Sequence, residues 1–345
     1  MKKLRALYRW ILISVILQTA VLAYANFVYI PGRGSFRATI FEMNAMAVKN
    51  RKYKLPEGAS EVKVSFDGLY AAYRLGDILE IVDMDSKKTT KRLKPSGGTL
   101  SYYRWLPDRD MLIYSIKEPE GKSGRVRIST FDIGPELDRS YPDIKNLPEG
   151  SAVIDIELSP LTNIVYPMIQ SSESRVRIYK FDIMDNLNLI MKADLGMIIG
   201  ETMYSDHLIY QPVGAKIKIR NGRNAKTSTL AFKKADLLLS VDDFDFIYAA
   251  STDEAGKLTE IHNGKIDNKA DEWKTITLEN PTAKEDVFIT PGGRVYLADR
   301  QTKTITDLKS NLSVSYQGQL LTVIESYVVS INDGDLLLKV ISQKS

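Results

Sequence analysis

The stretch LPEGASEVKVSFDGLYAAY, from Leu55 to Tyr73, begins again at Leu147 as LPEGSAVIDIELSPLTNIVY, which ends at Tyr166. In the first copy Val62, Val64 and Phe66 alternate with polar residues, Asp67-Gly68 supplies a turn, and Leu69 to Leu75 forms a second apolar-rich run. Alternation with period two around an Asp-Gly turn predicts a β-hairpin. Gly76-Asp77 punctuates next, Ile78 to Val82 predicts a third strand, and Thr89 to Leu93 a fourth after a turn at Asp85 to Lys88. The unit is a four-stranded meander.

Its second strand carries a mark that recurs along the chain: AAY at Tyr73, LIY at Tyr114, IVY at Tyr166, LIY at Tyr210, FIY at Tyr248 and RVY at Tyr296, with a degenerate seventh copy, SYVVSI, around Val328. A second echo, RVRISTFDI from Arg125 and RVRIYKFDI from Arg175, occupies the third-strand position of neighbouring units. These spacings suit one propeller blade per copy. No long helical periodicity interrupts them, and Gly or Pro breaks nearly every extended run. One four-stranded sheet cannot cover both its faces, so the units must stack, and closing the stack into a ring removes exposed ends. The expectation is an all-β propeller over residues 59–345, with blades beginning near 59, 99, 151, 198, 236, 283 and 317. Six blades with irregular ends is the alternative. The last blade is one strand short, and extended material before it, FRATIF and RKYKL, is expected to supply a latch strand within a linker at 31–58.

The turns WLPDRDMLIYS (Trp105 to Ser115) and VSFDGLYAAY (Val64 to Tyr73) resemble the W-S-P-D-G-x-x-I-A-F motif of TolB-type, WD40-like (PD40) β-propellers, which also form the propellers of prolyl oligopeptidases. The resemblance covers most of residues 59 to 343 and implies blade architecture. It does not imply a function, because the motif's Asp and Gly shape a turn. Asp67-Gly68 and Pro107-Asp108 match it well, and later copies depart from it.

Ahead of the repeats, the basic MKKLRALYR is followed by Trp10 to Ile30 without a charged residue. A helix of that length, at ~1.5 Å per residue, covers a hydrocarbon core of ~30 Å. The reading is a cytoplasmic basic tail at 1–9 and a transmembrane signal anchor at 10–30. Positive charge stays on the cytoplasmic side, so the C-terminal domain is expected outside the cytoplasm in a single-pass arrangement. A buried core helix is one alternative. The other is a cleaved signal peptide, because Ala23-Tyr24-Ala25 has the small-x-small form.

Composition narrows the chemistry. With 44% apolar and 26% charged residues, and a net charge of +4 to which the N-terminus contributes, the chain is globular and carries no basic field for nucleic acid. It contains no cysteine, which excludes disulfides, thiolate metal sites and thiol catalysis. The two histidines, His207 and His262, and the lack of a G-x-S-x-G elbow leave no Ser-His-Asp machinery. Asp242-Asp243-Phe244-Asp245 falls in an inter-strand turn, where Asp serves local hydrogen bonding more often than cation binding. DMDS at Asp83 to Ser86 lacks the remainder of a calcium loop, and GKSG at Gly121 to Gly124 lacks the upstream glycine of a phosphate loop. The strand tyrosines, fixed at one register, are expected in the core. No catalytic, cofactor-binding or metal residue is assigned and no cofactor is expected.

The function expected is a non-enzymatic protein-interaction or scaffold module of a cell-envelope assembly, in contact with the membrane through residues 10–30 and with an envelope protein partner. A glycan is a further candidate ligand. The alternative is an enzyme or accessory protein acting on cell-surface polysaccharide or peptide through residues gathered in the propeller funnel.

Overall fold

The computed structural model describes residues 2–24, 48–120 and 123–341. It forms two compact units, residues 1–48 and 49–345. In the first, a helix spans Lys2–Tyr24. Its opening residues are Lys, Leu, Arg and Ala, all good helix formers, so the stretch expected as a separate tail at 1–9 is continuous with the apolar turns. Trp10, Leu12, Ile13, Ile16, Leu17 and Leu22 are 53–71% exposed. Among the described residues no helix is long and apolar enough to cross a membrane. Residues 25–30 of the expected span, and FRATIF at 36–41, lie outside the described residues.

In the second unit the described residues form seven antiparallel sheets. Blades 1 to 6 each take consecutive strands, with innermost strands Ala59–Val64, Thr99–Trp105, Ala152–Ser159, Ile198–Glu201, Leu237–Val241 and Val287–Ile289. Blade 2 carries an additional outer strand, Ile144–Leu147, beside Leu137–Ser140. Blade 7 combines Gln319–Ile324, Tyr327–Asn332 and Asp335–Val340 with Arg51–Lys54 from the other end of the chain, Arg51 pairing with Leu338 and Lys54 with Asp335. RKYKL therefore supplies the strand that the last repeat lacks.

Burial grades outward across each blade. Second strands are sealed, as at Ala71-Ala72-Tyr73 and throughout Ile164–Met168, whereas outer strands such as Leu137–Ser140 and Thr227–Thr229 are exposed. The six marking tyrosines keep at most 9% exposure, which places them in the core, but they do not share one register: Tyr73, Tyr114 and Tyr210 pack against the preceding blade and Tyr166, Tyr248 and Tyr296 against the following one. The apolar core divides into seven clusters, one per seam between blades. Ile113 and Val126 of blade 2 meet Val153 and Ile169 of blade 3. Ala71 and Val82 of blade 1 meet Val329 and Leu338 of blade 7, which closes the ring. Each sheet thus hides both faces against its neighbours.

Candidate functional site

Strands alternate direction within a blade, so the turns between strands 1 and 2 and those between strands 3 and 4 share one face of the ring. The 1–2 turns are stitched to one another. Ser159 donates its hydroxyl to the Met203 carbonyl (2.6 Å), and Asp245 accepts the backbone N–H groups of Met203 (2.6 Å) and Tyr204 (3.1 Å). Asp243 donates its N–H to the Pro291 carbonyl (3.0 Å), and Gly292 donates to Glu325 (3.2 Å). Blades 3 to 7 therefore present a continuous hydrogen-bonded rim.

The acidic run of blade 5 is part of this rim. Asp242 accepts the N–H groups of Phe244 (2.9 Å) and Phe246 (2.8 Å) and the Tyr248 hydroxyl (3.1 Å), so its oxygens shape the turn. Among the described residues no group of three or more His, Asp or Glu could hold a metal ion. His207 opens the second strand of blade 4, between Ser205 Oγ (3.0 Å) and Asn221 Nδ2 (3.1 Å). His262 is 0% exposed, held between Ser251 Oγ (2.8 Å) and Thr275 Oγ1 (2.9 Å), and burial lowers its pKa. This serine–histidine pair has a hydroxyl where a triad would place a carboxylate, and the imidazole is sealed from solvent.

At the mouth of the channel the rim encloses an apolar pocket of about 350 Å³, with Phe66, Trp105, Phe244 and Ile324 in its wall and Arg104, Asp243 and Glu325 as its charges. Burial, then Asp108, Asp242 and Glu325, push the Asp243 carboxyl up to about 6. Phe244 (52% exposed) lies in the pocket's wall, and on the same face Tyr204 (63%) and Leu161 (56%) project from the 1–2 turns of blades 4 and 3 and Met184 (81%) from the 3–4 turn of blade 3. Exposed rings beside a rigid pocket are what protein-binding faces present.

Below the mouth, the inner strands of blades 1 to 4 each end in a charged side chain within their last three residues: Lys63, Arg104, Glu157 and Glu201. Blades 5 to 7 have none there. Arg104 pairs with Glu157 (2.9 Å) and donates to the Ile156 carbonyl (2.6 Å), while Tyr102 donates to Asp155 (3.0 Å). Lys63 donates to the Tyr103 carbonyl (2.6 Å) and lies 4.7 Å from the centre of the Tyr102 ring. Burial, with Asp155 adding to it and Arg104 opposing it, raises the Glu157 carboxyl to about 7. Glu201 is 7% exposed and neither of its oxygens has a hydrogen-bond partner, so burial and then Glu157 drive its pKa well above the carboxylate range. Burial and then Arg104 lower that of Lys63.

None of these channel residues was singled out by alternation in the sequence. For Lys63, Arg104 and Glu157 the reason is a shift in strand register that recurs in five inner strands, between Ser60 and Lys63, Leu100 and Tyr102, Val153 and Asp155, Leu238 and Ser240, and Leu320 and Thr322. A bulge reverses which face the following residues occupy. The signal present in the sequence was charge near the ends of strands 62–64, 102–104 and 155–157. Tyr103 and Trp105 on the inner strand of blade 2 are core, at 0% and 7% exposure.

No family model and no curated protein matches the sequence. Among solved structures the chain is similar to the β-propeller domain of Myceliophteria thermophila Cps50 (Swd1), with a TM-score of 0.53 and 11% identity over 84% of this chain and 100% of that one. It is similar to a chain in the crystal structure of a mitotic checkpoint complex, with a TM-score of 0.51 and 11% identity over 85% and 91%. TolB from Acinetobacter baumannii matches with a TM-score of 0.45 and 14% identity over 84% of this chain, which spans 63% of that protein. At these identities the likeness is one of fold: the second unit is a seven-bladed β-propeller.

Proposed function

We propose that this chain is a protein-interaction module of the cell envelope, tethered to the membrane by its N-terminal segment with the propeller outside the cytoplasm, and that it binds a partner through the turn face. One observation carries the binding face: the stitched rim displays Phe244, Tyr204 and Leu161 on the face that holds the apolar mouth pocket. Asp243 and Glu325 at that pocket favour a partner segment with a cationic group beside an apolar one. The tether is supported by the exposed apolar side chains of the N-terminal helix, which require a cover, and by Lys2, Lys3, Arg5 and Arg9, which favour a cytoplasmic N-terminus.

The test is affinity capture from crosslinked membranes at near-native expression, with wild type compared against Tyr204→Ser/Phe244→Ser. The reading requires a discrete partner that the variant loses while remaining folded. A partner retained by the variant, or no specific partner, contradicts it. The second reading, action on cell-surface polysaccharide or peptide, rests on Asp155, Glu157 and Glu201 gathered at the channel. Two carboxylates in a cleft are the requirement for glycoside hydrolysis. Arg104 and Tyr102 already engage two of the three, and the lining of the mouth pocket includes none of them.

A further inference from the structure

Between blades 5 and 6, on the same turn face, lies a second pocket of about 860 Å³, a size typical of small-molecule sites. Three cationic side chains line it: Lys274 at the start of the outer strand of blade 5, Arg294 in the 1–2 turn of blade 6, and Lys309 in its 3–4 turn. Its one carboxylate is Asp307, which faces three cationic groups. Asp307 Oδ1 accepts the backbone N–H groups of Lys309 (2.7 Å) and Ser310 (3.2 Å), the side chain is 8% exposed, and its nearest approach to Arg294 is 4.0 Å. Among the described residues neither Lys274 nor Lys309 has a carboxylate within ion-pair distance, and Arg294 reaches Glu325 only at 3.9 Å. Half of the remaining lining residues are aliphatic, with Val295 and Ile341 each 6% exposed beside Ile276, Leu308 and Leu312.

Like charges gathered in a concavity repel one another until an anion arrives, and a low-dielectric wall strengthens that attraction. The aliphatic lining stabilises apolar area brought in with the anion. We propose that this pocket binds a small amphiphilic anion, a carboxylate or phosphate carried on a short aliphatic body. Such a site adjoins the partner-binding mouth, with which it shares Gly292, and it would let a metabolite or lipid-derived anion sit beside the interaction face.

The experiment titrates the full chain in nanodiscs with hexanoate, hexyl phosphate, hexanol and inorganic phosphate, followed by calorimetry. The expected result is saturable binding of at least one of the two hexyl anions, at least tenfold tighter than hexanol or inorganic phosphate. Lys274→Gln/Lys309→Gln should weaken that binding at least tenfold with an unchanged unfolding midpoint. Lys216→Gln/Lys233→Gln, at a different surface pocket, should leave it unaltered. Failure of both hexyl anions to saturate, equal binding of hexanol, or undiminished binding by the first double variant would overturn the assignment.

Discussion

Tyr166, on the second strand of blade 3, donates its hydroxyl to Asp206 Oδ1 in the turn of blade 4 at 2.7 Å, so a repeated core tyrosine also fastens one blade to the next. The other oxygen of Asp206 takes the Lys180 ammonium at 2.5 Å, with both side chains no more than 10% exposed. Removing one member of a buried pair strands the other charge and costs about 3–5 kcal/mol. Asp206→Ala should therefore be strongly destabilising, and Tyr166→Phe, which deletes one hydrogen bond, should cost about 1 kcal/mol. Denaturant titration of both variants checks the order. Equal costs would show that the pair is not held as described.

Ring closure depends on a strand from the chain's start. Arg51 bonds Asp85 of blade 1 through Nε (3.0 Å) and the Tyr327 hydroxyl of blade 7 through its guanidinium. Deleting residues 49–55 should strip blade 7 of its fourth strand and abolish cooperative unfolding. Deleting residues 1–48 should leave the unfolding midpoint in place, because the ring seams lie within 49–345. A scanning calorimetry comparison separates the two.

Glycine at position 68 is required twice over. Its φ is +71°, and a Cβ there would lie 2.8 Å from Leu338 Cδ2 and 2.9 Å from Tyr327 Cε2, at the seam where the ring closes. Gly76 has φ +60° but open space around it. Gly76→Ala should cost about 1 kcal/mol for backbone strain alone, and Gly68→Ala about 2–4 kcal/mol once overpacking is added. Similar losses at both positions would contradict the tight seam.

The channel carboxylates make a stability prediction with a definite sign. Glu157 is raised to about 7 and Glu201 is raised well above its unfolded value, so the folded state binds more protons than the unfolded state between about pH 4.5 and 7. Their contribution is fully present below the unfolded pKa and is lost as pH rises through the folded one. Glu201→Gln should accordingly stabilise the protein at pH 8 and leave it unchanged at pH 4, measured by urea unfolding at the two values. A destabilisation at pH 8 would mean that the carboxylate is paired and ionised.

The blades were legible because six of the seven bury a tyrosine in the second strand, Tyr73, Tyr114 and Tyr210 against the preceding blade and Tyr166, Tyr248 and Tyr296 against the following one. Asp67-Gly68 could be read locally, since two adjacent residues define the turn. The site was harder to read. Lys63, Arg104, Glu157 and Glu201 come from four blades and meet only once the ring closes, and a register shift hides the first three from a period-two reading. The closing strand was visible as RKYKL, but its partner at Asp335–Val340 lies at the opposite end of the sequence. The N-terminal helix, legible as an uncharged run from Trp10, begins instead at Lys2 because nothing in the basic stretch breaks it.

The central claim is that the turn face is the binding face. Photocrosslinking in native membranes tests it most directly, with a photoreactive residue placed singly at Leu161, Tyr204 and Phe244 on that face and at Val213, an exposed residue in the opposite 2–3 turn of blade 4. The account predicts one discrete adduct shared by the first three positions and absent at Val213. Adducts confined to Val213, or spread equally over both faces, would contradict it.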